Sequence, residues 1–178
     1  MMTEGLWSMP NRFRTEAPFL VAAYYSLQGI DAYCPFAVEH TWLKQVTRKW
    51  PIQSPTELCQ YPAASIVYRR GYVEEGPVVV NEALKLEELY RLEGGALSQP
   101  LGLDPIQAGR VPPGQLAETD SLAGIDPLSF FVGRVVRTIG EEPGASTFMN
   151  TTDFIDRQGK RVTSATGELV MDYGRGVA

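Results

Sequence analysis

The chain has 178 residues, and its 44% hydrophobic and 10% aromatic content is enough to bury a core, which excludes wholesale disorder. Its formal net charge of -5 provides no global basic field, so bulk electrostatic binding to DNA or RNA is not expected. No run reaches the roughly 18 apolar residues of a membrane span, and the start lacks the basic and apolar segments of a secretory signal. We therefore expect a cytoplasmic protein that does not bind membranes.

The first predicted helix lies in "TEAPFLVAAYYSLQG". Thr15 is the expected N-cap, Pro18 falls in the first turn, where its missing N–H is not needed, and Gly29 is the expected C-cap. Four apolar residues recur at helical spacing and predict the buried face: Leu20, Ala23, Tyr24 and Leu27.

A short strand, "IDAYC", is predicted directly after this helix. Ile30, Ala32 and Cys34 alternate with polar or amphipathic residues, and Pro35 ends the run. The alternation predicts that these three side chains face the core.

Three further strands are predicted, over 37–42, 56–60 and 66–68, with a break at Gly71. The first two flank a basic loop at 44–55 that carries tryptophan and proline.

A second helix is predicted in "NEALKLEELYRLEGG", with Asn81 as its N-cap and Gly94 as its C-cap. The residues that follow helical spacing are Leu86, Leu89, Tyr90 and Glu93. The stretch that follows is rich in proline and glycine and predicts a linker, and short glycine-punctuated runs after it predict a small β-barrel. The expected organisation is α+β, with domains at 1–108 and 128–178 joined by a linker at 109–127.

Motifs for nucleotide binding, hydrolysis and zinc are absent from the sequence, and the single histidine removes most arrangements that use imidazole as a general base. One enzymatic alternative is a nucleophilic Cys34 paired with His40, but a cysteine in this strand pattern is most simply a small buried residue, as is Cys59. Two cysteines and one histidine also predict neither a disulfide framework nor a zinc site. We expect a protein that is not an enzyme and has no metal or cofactor.

The order of these features resembles the N-terminal domain of the NusG family of transcription elongation factors. That domain begins with a Trp-bearing strand, followed by a helix with an early Glu and a strand of the form Gly-Ile-x-x-Tyr-x-Pro. The matching residues here are Trp7, Glu16, Gly29, Ile30, Tyr33 and Pro35. After the basic loop, "YPAASIV" corresponds to a family strand that begins Phe-Pro-Gly-Tyr. Tyr61 and Pro62 agree with it, whereas Ala63 and Ala64 replace the Gly and Tyr.

The segment "FFVGRVVRTIG" is similar to the opening of the family's C-terminal KOW domain. The residues that fit are Phe131, Gly133, Val136 and Arg137, while Arg134 stands where Asp is usual. The divergence resembles that of members encoded by bacteriophages or carried as specialised paralogues.

The resemblance implies an NGN-like α/β sandwich with an antiparallel sheet, followed by a small SH3-like barrel. It also implies binding to the clamp helices of RNA polymerase, with effects on elongation, pausing, termination or antitermination. The aromatic residues implied at that interface are Trp7, Tyr24, Tyr33 and Tyr61. The basic loop implies contact with upstream or non-template DNA through Lys44, Arg48, Lys49 and Trp50. No partner is assigned to the C-terminal part.

A competing interpretation is a phage or virion-associated structural protein with no role in transcription. Its basis is the Gly/Thr/Asn-rich stretch from Ser146 to Gly174, which suits a β-rich assembly module as well as a divergent KOW domain.

Overall fold

The computed structural model describes residues 1–5, 7–38, 49–50, 52–91 and 126–175. The helices are α1 (Ala17–Leu27), α2 (Pro55–Leu58), α3 (Tyr61–Arg69) and α4 (Leu86–Tyr90). The strands are β1 (Met2–Gly5), β2 (Tyr33–Pro35), β3 (Val78–Lys85), β4 (Arg134–Gly140), β5 (Thr147–Phe148), β6 (Ile155–Asp156), β7 (Arg161–Thr163) and β8 (Val170–Asp172). Short 3-10 turns cover Arg14–Glu16, Pro127–Phe131 and Thr152–Phe154.

The expected α+β class is confirmed, because helices and three separate sheets share the described chain. β1 pairs with β2 in parallel, and β3 lies between β4, which is parallel to it, and β5, which is antiparallel. β6, β7 and β8 form an antiparallel meander. The parallel pairs differ from the antiparallel sheet that was expected, and the described part of 128–178 contains no closed barrel.

The first helix forms where the sequence predicts it. Pro18 lies in the first turn of α1, and Gly29 ends the helix with a φ of +66, a left-handed conformation that glycine adopts without strain. Thr15 lies in the preceding 3-10 turn, so the N-cap position falls on Glu16 instead. Residues outside the predicted face are also buried, among them Val21 and Ala22, because α3 packs against this side of α1.

Two predicted strands are helices in the structure. Residues 56–60 fall largely in α2, and residues 66–68 fall in α3. Each helix carries a proline in its first turn, where the pyrrolidine ring favours helix initiation. The β-branched pair at 66–67 suggested a strand, but the buried side chain of Ala64 packs α3 on the protein, and Ile66 is left exposed. Tertiary packing therefore overrides local propensity here.

The second predicted helix is correct only in part. Asn81 lies in the middle of β3 and caps nothing, and β3 continues to Lys85. The helix α4 then covers Leu86, Leu89 and Tyr90, as predicted. Val80, Glu82 and Leu84 are buried at alternate positions, the period of a sheet rather than of a helix. Glu93 and Gly94 lie outside the described residues, as do most of the predicted strand 37–42 and nearly all of the linker.

In the strand after α1, the predicted burial of Cys34 is wrong, while Ile30 and Ala32, which precede β2, are half-buried. Cys34 is exposed, whereas Tyr33 is partly buried and its hydroxyl donates to the Gly5 carbonyl at 2.7 Å. The hydrogen bond fixes Tyr33 inward, and adjacent strand residues point to opposite sides, so Cys34 must point outward. Cys59 is also exposed, so neither thiol is the core residue that was expected.

Two hydrophobic clusters form a continuous core. One contains Val79, Val80, Val132, Ile155 and Val162, and the other contains Tyr24, Leu27 and Val73. Phe131 and Met171 pack against both clusters. Gln28 reinforces the junction, because its amide donates to the carbonyls of Phe130 and Gly133 and accepts from the N–H of Val135. The segment after residue 126 thus packs on α1, while the predicted division into domains stays a prediction.

In the described ranges, no helix combines the length and apolar character required to cross a bilayer.

Candidate docking groove

An apolar groove of about 310 Å³ lies between α1, α3 and β2. Its lining residues are Pro18, Val21, Ala22, Ala32, Tyr33, Pro35, Tyr61, Ala64, Ser65, Tyr68 and Arg69. Most are aliphatic or aromatic, and Arg69 carries the one formal charge among them. The chemistry of this lining suits an apolar occupant better than a polar small molecule.

The groove follows from the packing of the two helices. Ala22 of α1 and Ala64 of α3 are buried and small, so the helix backbones can approach closely. On α3, Tyr61, Ser65 and Tyr68 follow at i, i+4 and i+7, which places them along one face of the helix. β2 adds Tyr33 from the other side.

A buried ion pair contacts one of the tyrosines that line the groove. The Arg14 guanidinium contacts the Glu57 carboxylate, and their side chains are only 3% and 1% exposed. Glu57 also accepts a long hydrogen bond, 3.5 Å, from the hydroxyl of Tyr61. The ion pair therefore anchors a groove tyrosine to the 3-10 turn before α1 and to α2.

The hydroxyls of the two groove tyrosines are directed to groups of the protein itself. The Tyr33 hydroxyl donates to the Gly5 carbonyl at 2.7 Å, and the Tyr61 hydroxyl donates to the Glu57 carboxylate. Both hydroxyls thus have partners inside the protein, and the rings are held in place before any ligand binds.

Burial dominates the acid–base behaviour of this network. It raises the pKa of Tyr33 to about 12, with the nearby Tyr25 adding to the effect, and it raises the pKa of Tyr61 together with the charges of Tyr33 and Glu57. Burial also raises the pKa of Glu57, although the charge and hydrogen bond of Arg14 oppose this effect. Both phenols are therefore neutral at physiological pH.

The structure brings together two of the four aromatic residues singled out from the sequence. Tyr33 and Tyr61 line the groove, whereas Tyr24 is 5% exposed and packs edge to face on Phe131, with 5.1 Å between ring centroids. Trp7 is partly buried and does not line the groove. The packing of Tyr24 in the core leaves almost none of its ring for a partner.

The end of the basic loop carries an exposed aromatic pair. Trp50 is 46% exposed and lies edge to face with Phe36, which is 41% exposed, at a centroid distance of 6.0 Å. The Lys49 ammonium lies 4.5 Å from the centre of the Trp50 ring. Lys44 and Arg48 lie outside the described residues. Trp50 and Lys49 therefore form one surface feature, separate from the groove lining.

Sequence reasoning missed Arg14, Glu57, Tyr68 and Arg69. The ion pair joins residues distant in sequence, and no local pattern links them. Tyr68 and Arg69 could have been placed near Tyr61 from the sequence if residues 61–69 had been predicted as a helix. Tyr61, Ser65 and Tyr68 then follow helical spacing.

Among the described residues, no group of three or more His, Cys, Asp or Glu side chains is placed to hold a metal ion. No protein-family model, curated protein or solved structure matches the chain.

Proposed function

We propose that the protein is a NusG-like transcription factor that binds RNA polymerase by receiving the tip of its clamp helices in the groove between α1, α3 and β2. It thereby modulates elongation, pausing or termination and carries out no chemistry of its own. One observation carries the proposal. Tyr33 and Tyr61, assigned to the polymerase interface by resemblance from separate parts of the sequence, line the same apolar groove.

Physical chemistry supports a helical occupant. A helix bound in a groove places a few apolar side chains in a concave surface, and aromatic anchors supply most of the binding energy. The hydrogen bonds of Tyr33 and Tyr61 restrict their rings in advance, which lowers the conformational entropy lost on binding.

The finer fold assignments belong to the same proposal. The NGN-like and KOW-like domains rest on the sequence resemblance, and α3 occupies the stretch where the family has a strand. Tyr61 is accordingly presented from the first turn of a helix. We propose that Lys49 and Trp50 contact upstream or non-template DNA, with the ammonium group near phosphate and the ring near a base.

Binding of the full chain to purified bacterial RNA polymerase tests the proposal. Ser65→Arg places a long charged side chain at an exposed position of the groove, whereas Ala63→Arg makes a similar change on the same helix away from the groove lining. We expect Ser65→Arg to abolish binding and Ala63→Arg to preserve it. A folded wild-type chain that does not bind polymerase, but is stoichiometric in purified phage particles, would contradict the proposal and favour the assembly role.

A further inference from the structure

Arg69 differs from most arginines of the described chain because none of the described carboxylates contacts it. Ion pairs engage Arg14, Arg91, Arg134, Arg137, Arg157, Arg161 and Arg175. Arg12 lies over the ring of Phe13. Arg69 and its neighbour Arg70 are exposed at the end of α3 without an acidic partner among the described residues, and only Arg69 lines the groove.

The rest of the lining offers little to a charged or polar ligand. The Tyr33 hydroxyl donates to the Gly5 carbonyl and the Tyr61 hydroxyl to the Glu57 carboxylate, so the groove presents their rings rather than free donors. A charged group bound deep in such a surface would lose its hydration without gaining a partner. A charge on the occupant is therefore favourable only where it meets the Arg69 end of the groove.

We infer that the groove takes a helical segment of a partner protein whose apolar side chains fill the lining and whose Asp or Glu side chain pairs with Arg69. This inference rests on the proposed function, and it adds which side chains the bound helix carries. The guanidinium group can pair with a carboxylate through two parallel hydrogen bonds, which fixes position as well as charge. Apolar contacts supply affinity in this arrangement, while Arg69 sets the direction and register of the bound helix.

A displayed library of amphipathic helical peptides tests the inference without requiring that polymerase be the partner. The full chain is the bait, and the Ser65→Arg chain removes peptides that bind elsewhere. We expect the groove-dependent peptides to share apolar residues at helical spacing and at least one acidic residue at a fixed position relative to them. Failure to recover any groove-dependent peptide, or recovery of peptides without such an acidic residue, would overturn the inference.

The selected peptides then allow a matched comparison by fluorescence anisotropy. Arg69→Gln should weaken peptide binding about two- to fivefold, as expected for the loss of one exposed ion pair. Arg69→Glu should weaken it about tenfold or more, because two carboxylates then repel each other. Arg70→Glu makes the same change in charge one residue away and should alter affinity less than about twofold. Changing the peptide's acidic residue to its amide should remove the sensitivity to Arg69→Gln.

Equal losses of peptide affinity in Arg69→Glu and Arg70→Glu would overturn the inference. The peptide's acidic residue would then respond to the overall electrostatic potential rather than to a specific ion pair with Arg69. Polymerase binding that depends on Ser65 but not on Arg69 would refute this inference and leave the proposed function standing. Acidic peptides that bind through Arg69, combined with no polymerase binding, would refute the proposed function alone.

Discussion

The hydroxyl of Tyr33, on β2, donates a hydrogen bond of 2.7 Å to the carbonyl of Gly5, on β1. The other groove tyrosine, Tyr61 on α3, donates a long hydrogen bond to the buried Glu57 carboxylate. Binding surface and folded core therefore share a network of polar contacts, so variants in this network test both stability and function.

The Arg14–Glu57 pair is expected to be the most sensitive part of that network. Arg14→Ala would leave the Glu57 carboxylate buried without its counter-charge, which costs about 3–5 kcal/mol of unfolding free energy. Arg91→Ala is the control, because its pair with Glu87 is exposed and a pair of that kind contributes only about 0.3–0.5 kcal/mol. Urea denaturation measures both. Similar losses of unfolding free energy in the two variants would show that water reaches the Arg14–Glu57 pair.

Gln28 is expected to hold the segment after residue 126 against α1. Gln28→Leu replaces the amide side chain with an apolar one of similar size and leaves the carbonyls of Phe130 and Gly133 and the N–H of Val135 without their partner. Because each unsatisfied buried group costs about 1–3 kcal/mol, we expect a loss of roughly 3 kcal/mol or more. Hydrogen exchange at the Val135 amide should also accelerate.

Gln158→Leu serves as the control for this variant, because Gln158 is exposed. An unchanged exchange rate at Val135 in Gln28→Leu would contradict the proposed junction.

Stability should decrease at alkaline pH because of the groove tyrosines. The pKa of Tyr33 is raised from 10.0 to about 12 in the folded chain, chiefly by burial. Between these values the unfolded chain has lost a proton that the folded chain retains, so the free energy of unfolding falls as pH rises through the window. Tyr24 and Tyr61 act in the same direction.

Tyr33→Phe removes one of these groups. Its overall stability should be lower because the bond to Gly5 is lost, but the decline between pH 10 and 12 should be shallower than in the wild type. Urea denaturation at several pH values gives the slope, and Tyr90→Phe controls for loss of an exposed hydroxyl. A slope equal to that of the wild type would be evidence against a buried, neutral Tyr33.

The proposed nucleic-acid contact predicts that single-stranded DNA binds at the exposed pair of Trp50 and Phe36. Stacking of a base on Trp50 would quench its fluorescence, and added salt would weaken the effect because Lys49 acts through phosphate. Titration with an oligonucleotide should therefore quench the wild type but not Trp50→Phe. Equal quenching in both proteins would assign the signal to another tryptophan.

The sequence predicts the first helix well because its signals are local. Pro18 and Gly29 act on the backbone within one turn of their own position, so no distant contact is needed to place the ends of α1. The same holds for the α+β class, which follows from alternating helical and strand-like patterns.

The prediction fails where distant partners decide the outcome. Residues 81–85 have a pattern compatible with a helix, but they pair with β4, which lies beyond the predicted linker. Residues 66–68 are β-branched or aromatic, but the preceding alanines and the packing of Ala64 make them helical. The groove itself joins α1, β2 and α3, so only Tyr33 and Tyr61 were anticipated, and both came from a family resemblance.

Site-specific photo-crosslinking to RNA polymerase tests the central claim most directly. A benzophenone side chain at position 65 lies in the groove, and one at position 63 lies on the same helix outside the lining. We predict that position 65 crosslinks to the clamp helices of polymerase and that position 63 does not. Crosslinks from position 65 to another polymerase region, or equal crosslinking from both positions, would contradict the assignment of this groove as the polymerase-binding site.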